Sequence, residues 1–166
     1  MKLKKSLAPR IFYDSRVLIL GSMPGEESLH RQEYYAYPQN QFWRLTAAVL
    51  EVPVPDDDYT ERLTMLQCGR IALWDVIASC RREGSLDTNI REENPNTIPE
   101  LLAEYPGIKA VFFNGQKAGE SFRRSFGKDF FDQCGLFSAV LPSSSPANTS
   151  GFERKLESWM LIREYL

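Results

Sequence analysis

Short apolar runs alternate with helix-spaced apolar positions along the chain. VLILG (Val17–Gly21) is a continuous apolar run ending in glycine, the pattern of a buried strand entering a tight turn. RIALWDVI, which follows Gly69, and KAVFFNG, which follows Gly107, predict a second and a third strand, and FSAVLP (Phe137–Pro142) a fourth. Between them, Asn40–Leu50 predicts a buried helix, with apolar residues at 42, 43, 45 and 47–50. Tyr59–Cys68 and Gln116–Phe126 also predict helices. Thr97 with Glu100 forms a capping box for a short helix through Tyr105. Ser150 with Glu153 caps a last helix carrying Phe152, Leu156, Trp159, Met160 and Leu161 at helical spacing. Val52–Asp58, with two prolines and three aspartates, predicts a loop. SCRREGSLDTNIREENPNT, residues 79–97, lacks a helical stripe and predicts a long exposed loop.

Strands that alternate with helices imply an α/β fold with a central, mostly parallel four-stranded sheet. No repeat, low-complexity tract or linker divides residues 1–166, so a single domain is expected. In such sheets ligands bind beyond the carboxyl ends of the strands. GSMPG, NG and SSSPANTS follow the first, third and fourth predicted strands. They bring three glycine- or serine-rich turns to one edge.

Composition narrows the chemistry. The 166 residues include 43% hydrophobic and 25% charged side chains, the balance of a globular domain. No apolar run is long enough to span a membrane, and the basic N-terminus is too polar for a signal peptide, so a cytoplasmic protein is expected. Cys68, Cys80 and Cys134 are odd in number and form no CxxC pair, which argues against a disulfide framework, a zinc ribbon and an iron–sulfur cluster; they are expected to be ordinary buried thiols. His30 is the one histidine, and no G-x-S-x-G elbow accompanies it, so a Ser–His–Asp hydrolase is not expected. A net charge of −2 confines any nucleic-acid contact to a local face.

YYAYPQNQFW (Tyr34–Trp43) stands out. Five of its ten residues are aromatic and none is charged, yet Gln39, Asn40 and Gln41 interrupt the rings with amides. Such a stretch suits a planar, uncharged heterocycle, since an amide offers both donor and acceptor without the cost of burying a charge. Taken alone, Asn40 reads most simply as a helix N-cap, Asn114–Gly115 as a routine turn dipeptide and SSSPANTS as a plain loop.

GSMPG, SL, YYAYPQNQFW, LWDVIASCRR, VFFNGQKA and LPSSSPAN, in this order, resemble the uracil-DNA glycosylase superfamily, and within it the hypoxanthine-DNA glycosylase (deoxyinosine glycosylase) branch. The likeness runs from about Val17 to the end. It implies a three-layer α/β/α sandwich, no cofactor and no metal. It implies hydrolysis of the N-glycosidic bond of a deaminated base flipped from double-stranded DNA, most simply hypoxanthine, with uracil and xanthine next, by a monomer. Asn40 and Asn114 are then the catalytic candidates. Gly21, Ser22, Met23, Tyr35 and Asn114 are the base-binding ones, with Tyr35 as a stacking wall. Pro24, Gly25, Ser143, Ser144 and Ser145 are candidates for the DNA backbone, which Arg81, Arg82 and Arg91 could also reach. Where other branches carry Asn or Asp in the first turn, this chain has Met23, and Ser143 stands where relatives often place His or Asn. The alternatives are a non-catalytic damaged-DNA or nucleotide binding module on the same fold, and a hydrolase of free nucleosides.

Overall fold

A computed structural model describes residues 1–166. Its central sheet has four parallel strands in the order β3 (Ile71–Asp75), β2 (Val17–Gly21), β6 (Ala110–Asn114), β7 (Phe137–Leu141). All four runs expected to be strands are strands. The register pairs Gly21 with Asp75, Leu20 with Phe113 and Asn114 with Leu141, so the strand ends that matter lie level along one edge.

Alternation along the inner strands sends side chains to two cores. Val17, Ile19, Ile71, Leu73 and Phe112 face one side. They meet α2 (Phe42–Leu50), α3 (Tyr59–Cys68) and α7 (Phe152–Trp159), with the 3₁₀ turn Met160–Tyr165 after it. Leu18, Leu20, Ala72, Val111 and Phe113 face the other. They meet α4 (Ile98–Glu104), α5 (Gln116–Phe126) and α6 (Phe130–Cys134). Helices on both faces of a parallel sheet make the expected three-layer sandwich. No helix is long and apolar enough to cross a membrane.

Residues 79–97 depart from the loop expected there. β4 (Ile77–Arg81) and β5 (Arg91–Pro95) pair antiparallel, and β1 (Leu3–Lys5) pairs with β4 to complete a second, three-stranded sheet. Only Met23, Ile77, Cys80 and Ile90 form a buried cluster beneath it. One-sided strands with so few apolar residues carry almost no periodic signal. The end signals also differ. Thr97 caps α4 without a side-chain bond, and α7 starts after Gly151 rather than Ser150. A further short helix, α1 (Glu26–Arg31), follows the first turn. Cys80 is buried as expected, but Cys68 and Cys134 are exposed.

Candidate active site

Four turns leave the carboxyl edge of the parallel sheet together. They carry Gly21 from β2, Asp75 from β3, Asn114 from β6 and Ser143–Ser145 after β7. The Tyr34–Trp43 segment lies against the last of them, since the Gln41 amide N–H donates to the Ser144 carbonyl at 2.9 Å.

A row of hydrogen bonds crosses this edge, and its polarity is fixed at both amides. The Phe42 N–H donates to Asn40 Oδ1 at 2.9 Å, and the Ser144 N–H donates to Asn114 Oδ1 at 2.9 Å. A backbone N–H only donates, so each receiving atom is the amide oxygen. Asn114 Nδ2 therefore donates twice, to Ser144 Oγ at 2.9 Å and to Tyr35 Oη at 3.1 Å. Ser144 Oγ passes its own hydrogen to Asn40 Oδ1 at 2.8 Å. Two groups at the ends remain free. Asn40 Nδ2 has no protein partner, and the hydrogen on Tyr35 Oη, an acceptor within the row, is available to something else.

The backbone makes room for this. Tyr35 sits at φ 51°, in the left-handed region that costs a tyrosine roughly 1–3 kcal/mol. Phe42 stacks on one face of its ring, with centroids 4.0 Å apart, and Trp43 Nε1 donates to its carbonyl at 3.1 Å. Gly115 takes φ 99° so that the chain can turn from β6 into α5, and a Cβ there would lie 3.1 Å from that of Ser143. At Gly21 a Cβ would lie 2.5 Å from Asp75 Oδ1 and 3.0 Å from Tyr35 Oη. Only glycine lets those two oxygens approach the strand end together.

Asp75 is the functional candidate that sequence reasoning missed. It is 3% exposed, neither carboxylate oxygen accepts a hydrogen bond, and Oδ2 is sealed from solvent. Burial, reinforced by the Asp87 carboxylate and opposed by the Arg82 guanidinium, pushes its pKa up to about 7. Burial, with the Asp75 charge adding to it, also holds the Tyr35 hydroxyl far above the usual phenol range. The available signal was one carboxylate inside the otherwise apolar run Ile71–Ala78.

The first turn is braced from below by the 82–90 segment. Arg82, fully buried, donates to the Pro24 carbonyl, while its Nε and Nη1 have no partner. Ser22 Oγ donates to Asp87 Oδ1 at 2.7 Å, and the Glu26 N–H donates to Ser85 Oγ at 2.9 Å. No three His, Cys, Asp or Glu side chains come together in a way that could hold a metal ion.

Several expected roles change. Met23 is buried against Ile77, Cys80 and Ile90, so its side chain is not in a base pocket and only its backbone lies in the turn. Ser22 is spoken for by Asp87. Ser144 has no exposed surface and links the two asparagines rather than meeting DNA backbone. Pro24 is buried, whereas Gly25, Ser143 and Ser145 keep partial exposure. Ser145 is held from behind by the buried Lys155, whose Nζ donates to its carbonyl at 3.2 Å. Arg81 pairs with Glu92, Arg91 bonds the carbonyls of Thr88 and Ile90, and Arg82 is interior. Of the three, only Arg91 is an exposed cation without a carboxylate partner. Tyr35 has Phe42 on one ring face, and what it brings to the row is its hydroxyl.

Known proteins share this architecture. Residues 10–164 match the model of the uracil DNA glycosylase superfamily. A protein of Methanosarcina barkeri named hypoxanthine DNA glycosylase is 35% identical over 156 residues, which are 94% of this chain and 95% of that one. A Methanosarcina acetivorans protein of the same name is 36% identical over 149 residues, 90% of each chain. A solution NMR structure from Methanosarcina acetivorans, presented as that of a candidate uracil DNA glycosylase, superposes with a TM-score of 0.84 at 34% identity over 99% of both chains. With nearly the whole length matched by the family model and by two relatives above 30% identity, this chain belongs to the uracil DNA glycosylase superfamily.

Proposed function

We propose that the protein is a monofunctional DNA glycosylase acting as a monomer on double-stranded DNA. It hydrolyses the N-glycosidic bond of a flipped-out deaminated base, hypoxanthine in deoxyinosine first, with uracil and xanthine as further substrates. The observation that carries this reading is the oriented row Asn40–Ser144–Asn114–Tyr35 at the strand-end edge, free at both ends. The names of the two Methanosarcina relatives support the choice of base.

The chemistry follows from which atoms are free. The base must leave the helix, because its sugar carbon is unreachable in the stack. Asn40 Oδ1 already accepts from two donors, so its carbonyl is not the group that meets substrate. Its amide N–H can hold a water through one lone pair and leave the other aimed at C1′. As the C1′–N bond breaks, the electron pair leaves with the base and the sugar becomes oxocarbenium-like. The water oxygen then bonds C1′, and its proton passes to solvent. Because Asn40 is anchored by Phe42 and Ser144, little reorganisation is needed in the transition state. No amine stands in the row, so strand cleavage through an imine is not expected.

The test is a set of labelled duplexes, each with one lesion, incubated in chelator. Abasic sites opposite inosine are expected, and Asn40→Ala should lose about 100-fold in single-turnover rate, as for removal of one preorganised donor. Inosine strands left intact by excess wild-type protein would overturn the proposal. Tight inosine binding without release would favour the non-catalytic module instead.

A further inference from the structure

Tyr35 and Asp75 converge on the point that a Gly21 side chain would occupy, yet no hydrogen bond joins them. They offer opposite things. Tyr35 Oη already accepts from Asn114, so what it has left is a donor. Asp75 has two oxygens without donors, one of them sealed from water, so what it has left is an acceptor. A buried carboxylate without a partner is costly, and native structures rarely leave one unless something completes it.

We infer that Tyr35 Oη and the Asp75 carboxylate together read the C(=O)–N(H) edge that deamination creates on a base. The hydroxyl donates to the new carbonyl, and the carboxylate accepts the adjacent ring N–H. Hypoxanthine presents this edge at O6 and N1–H. Uracil and xanthine present the same pair. Adenine presents the reverse, an amino donor beside a bare ring nitrogen, and would set donor against donor and lone pair against carboxylate. Adenine is thus refused by electrostatics as well as by shape, whereas guanine, which presents the same O6 and N1–H pair, differs from hypoxanthine only by its 2-amino group and has to be refused there. Tyr35 then works through its hydroxyl end, which fits a ring whose face Phe42 already covers. It also gives each end of the row its own task, with sugar and water beside Asn40 and base edge beside Tyr35. The raised pKa of Asp75 accords with an unpartnered acceptor waiting for an N–H.

This inference rests on the proposed glycosylase, so its test separates the two. Duplexes carry deoxyinosine, deoxynebularine (a bare N1, no oxygen at carbon 6) or 1-methyldeoxyinosine (no N1–H). Cleavage is followed on ordinary sugars and binding on slowly cleaved 2′-fluoro sugars. Loss of a charge-assisted hydrogen bond predicts that wild-type protein favours inosine over either analogue by about 10–100-fold in kcat/KM and in binding. Asp75→Asn, which can turn an N–H toward N1, should shrink the inosine-to-nebularine ratio by about tenfold or more. Tyr35→Phe should slow inosine more than nebularine, which has no carbonyl to lose, and so shrink the inosine-to-nebularine ratio as well. The wild-type comparison needs no variant to fold. Equal handling of inosine and both analogues by wild-type protein overturns the inference, as do unchanged ratios in both variants. If the analogues are discriminated in binding while no base is released, the edge-reading pair stands and the glycosylase falls.

Discussion

Asp75→Asn should stabilise the protein, and increasingly so as the pH rises. The substituted amide has nearly the shape of a protonated carboxyl, so the variant stands for wild-type protein with that group held neutral. In the folded chain the carboxyl titrates near about 7 instead of its ordinary 3.8. Below 3.8 both states hold the proton and the group contributes nothing. Between the two values the unfolded chain ionises first, so wild-type stability falls with pH; above about 7 the full cost persists. At about 1.4 kcal/mol per unit, the gap between variant and wild type should widen by about 2–3 kcal/mol from pH 5 to pH 8. For a chain of this length that is about 5–10 °C in Tm. Any pH-independent offset, such as an unmet acceptor for the new amide N–H, cancels in the comparison across pH. Urea unfolding of both proteins at pH 5, 6, 7 and 8 measures the gap. Parallel curves, or a gap that narrows toward pH 8, would refute a buried carboxylate ionising at a cost.

Other outcomes follow from the same contacts. Ser144→Ala removes the hydroxyl between Asn114 and Asn40 and leaves a donor and an acceptor short of a partner. It should cost about 1–3 kcal/mol in urea unfolding, and misplacement of Asn40 should slow inosine cleavage by at least about tenfold. Gly21→Ala drives a methyl toward Asp75 Oδ1 and Tyr35 Oη at 2.5 and 3.0 Å. It should fold with a loss of about 1–3 kcal/mol but fail to cleave inosine, with circular dichroism confirming the fold and a lesion assay the defect.

Much of the framework was legible because buried parallel strands are written as short apolar runs and their order follows from alternation with helices. The position of the edge was legible too, since glycine and serine clusters punctuate the strand ends. What distinguishes one serine from the next was not. Ser143, Ser144 and Ser145 are identical in sequence, and only the turn after β7 decides that the middle one faces inward between two asparagines. Asn40 is not the helix cap expected of it, since Gln41 holds that place: it stands one residue earlier, where its oxygen accepts from the Phe42 N–H while its amide hydrogens remain free. Asp75 stayed hidden because a lone carboxylate that interrupts an apolar run reads as the place where one strand stops. Its setting is tertiary: Tyr35 shares its place at Gly21, and Arg82 and Asp87, from a distant part of the chain, act on its charge.

The distribution of satisfied and unsatisfied groups across the edge follows a division of labour. From Asn40 to Asn114 nearly every polar atom is matched, and two backbone N–H groups fix the direction of each bond. A water aimed at a sugar carbon needs that rigidity, since an error of about 1 Å can cost about 100-fold in rate. Around Gly21 the opposite holds. Asp75 lacks partners, Arg82 leaves two nitrogens unmatched, and Tyr35 holds a left-handed backbone. Each of these raises the energy of the empty protein, and a bound C(=O)–N(H) edge would relieve the first directly. Crowding Gly21 and neutralising Asp75 should therefore both impair recognition with opposite effects on stability: the first displaces Asp75 Oδ1 and Tyr35 Oη and destabilises, the second removes the acceptor and stabilises.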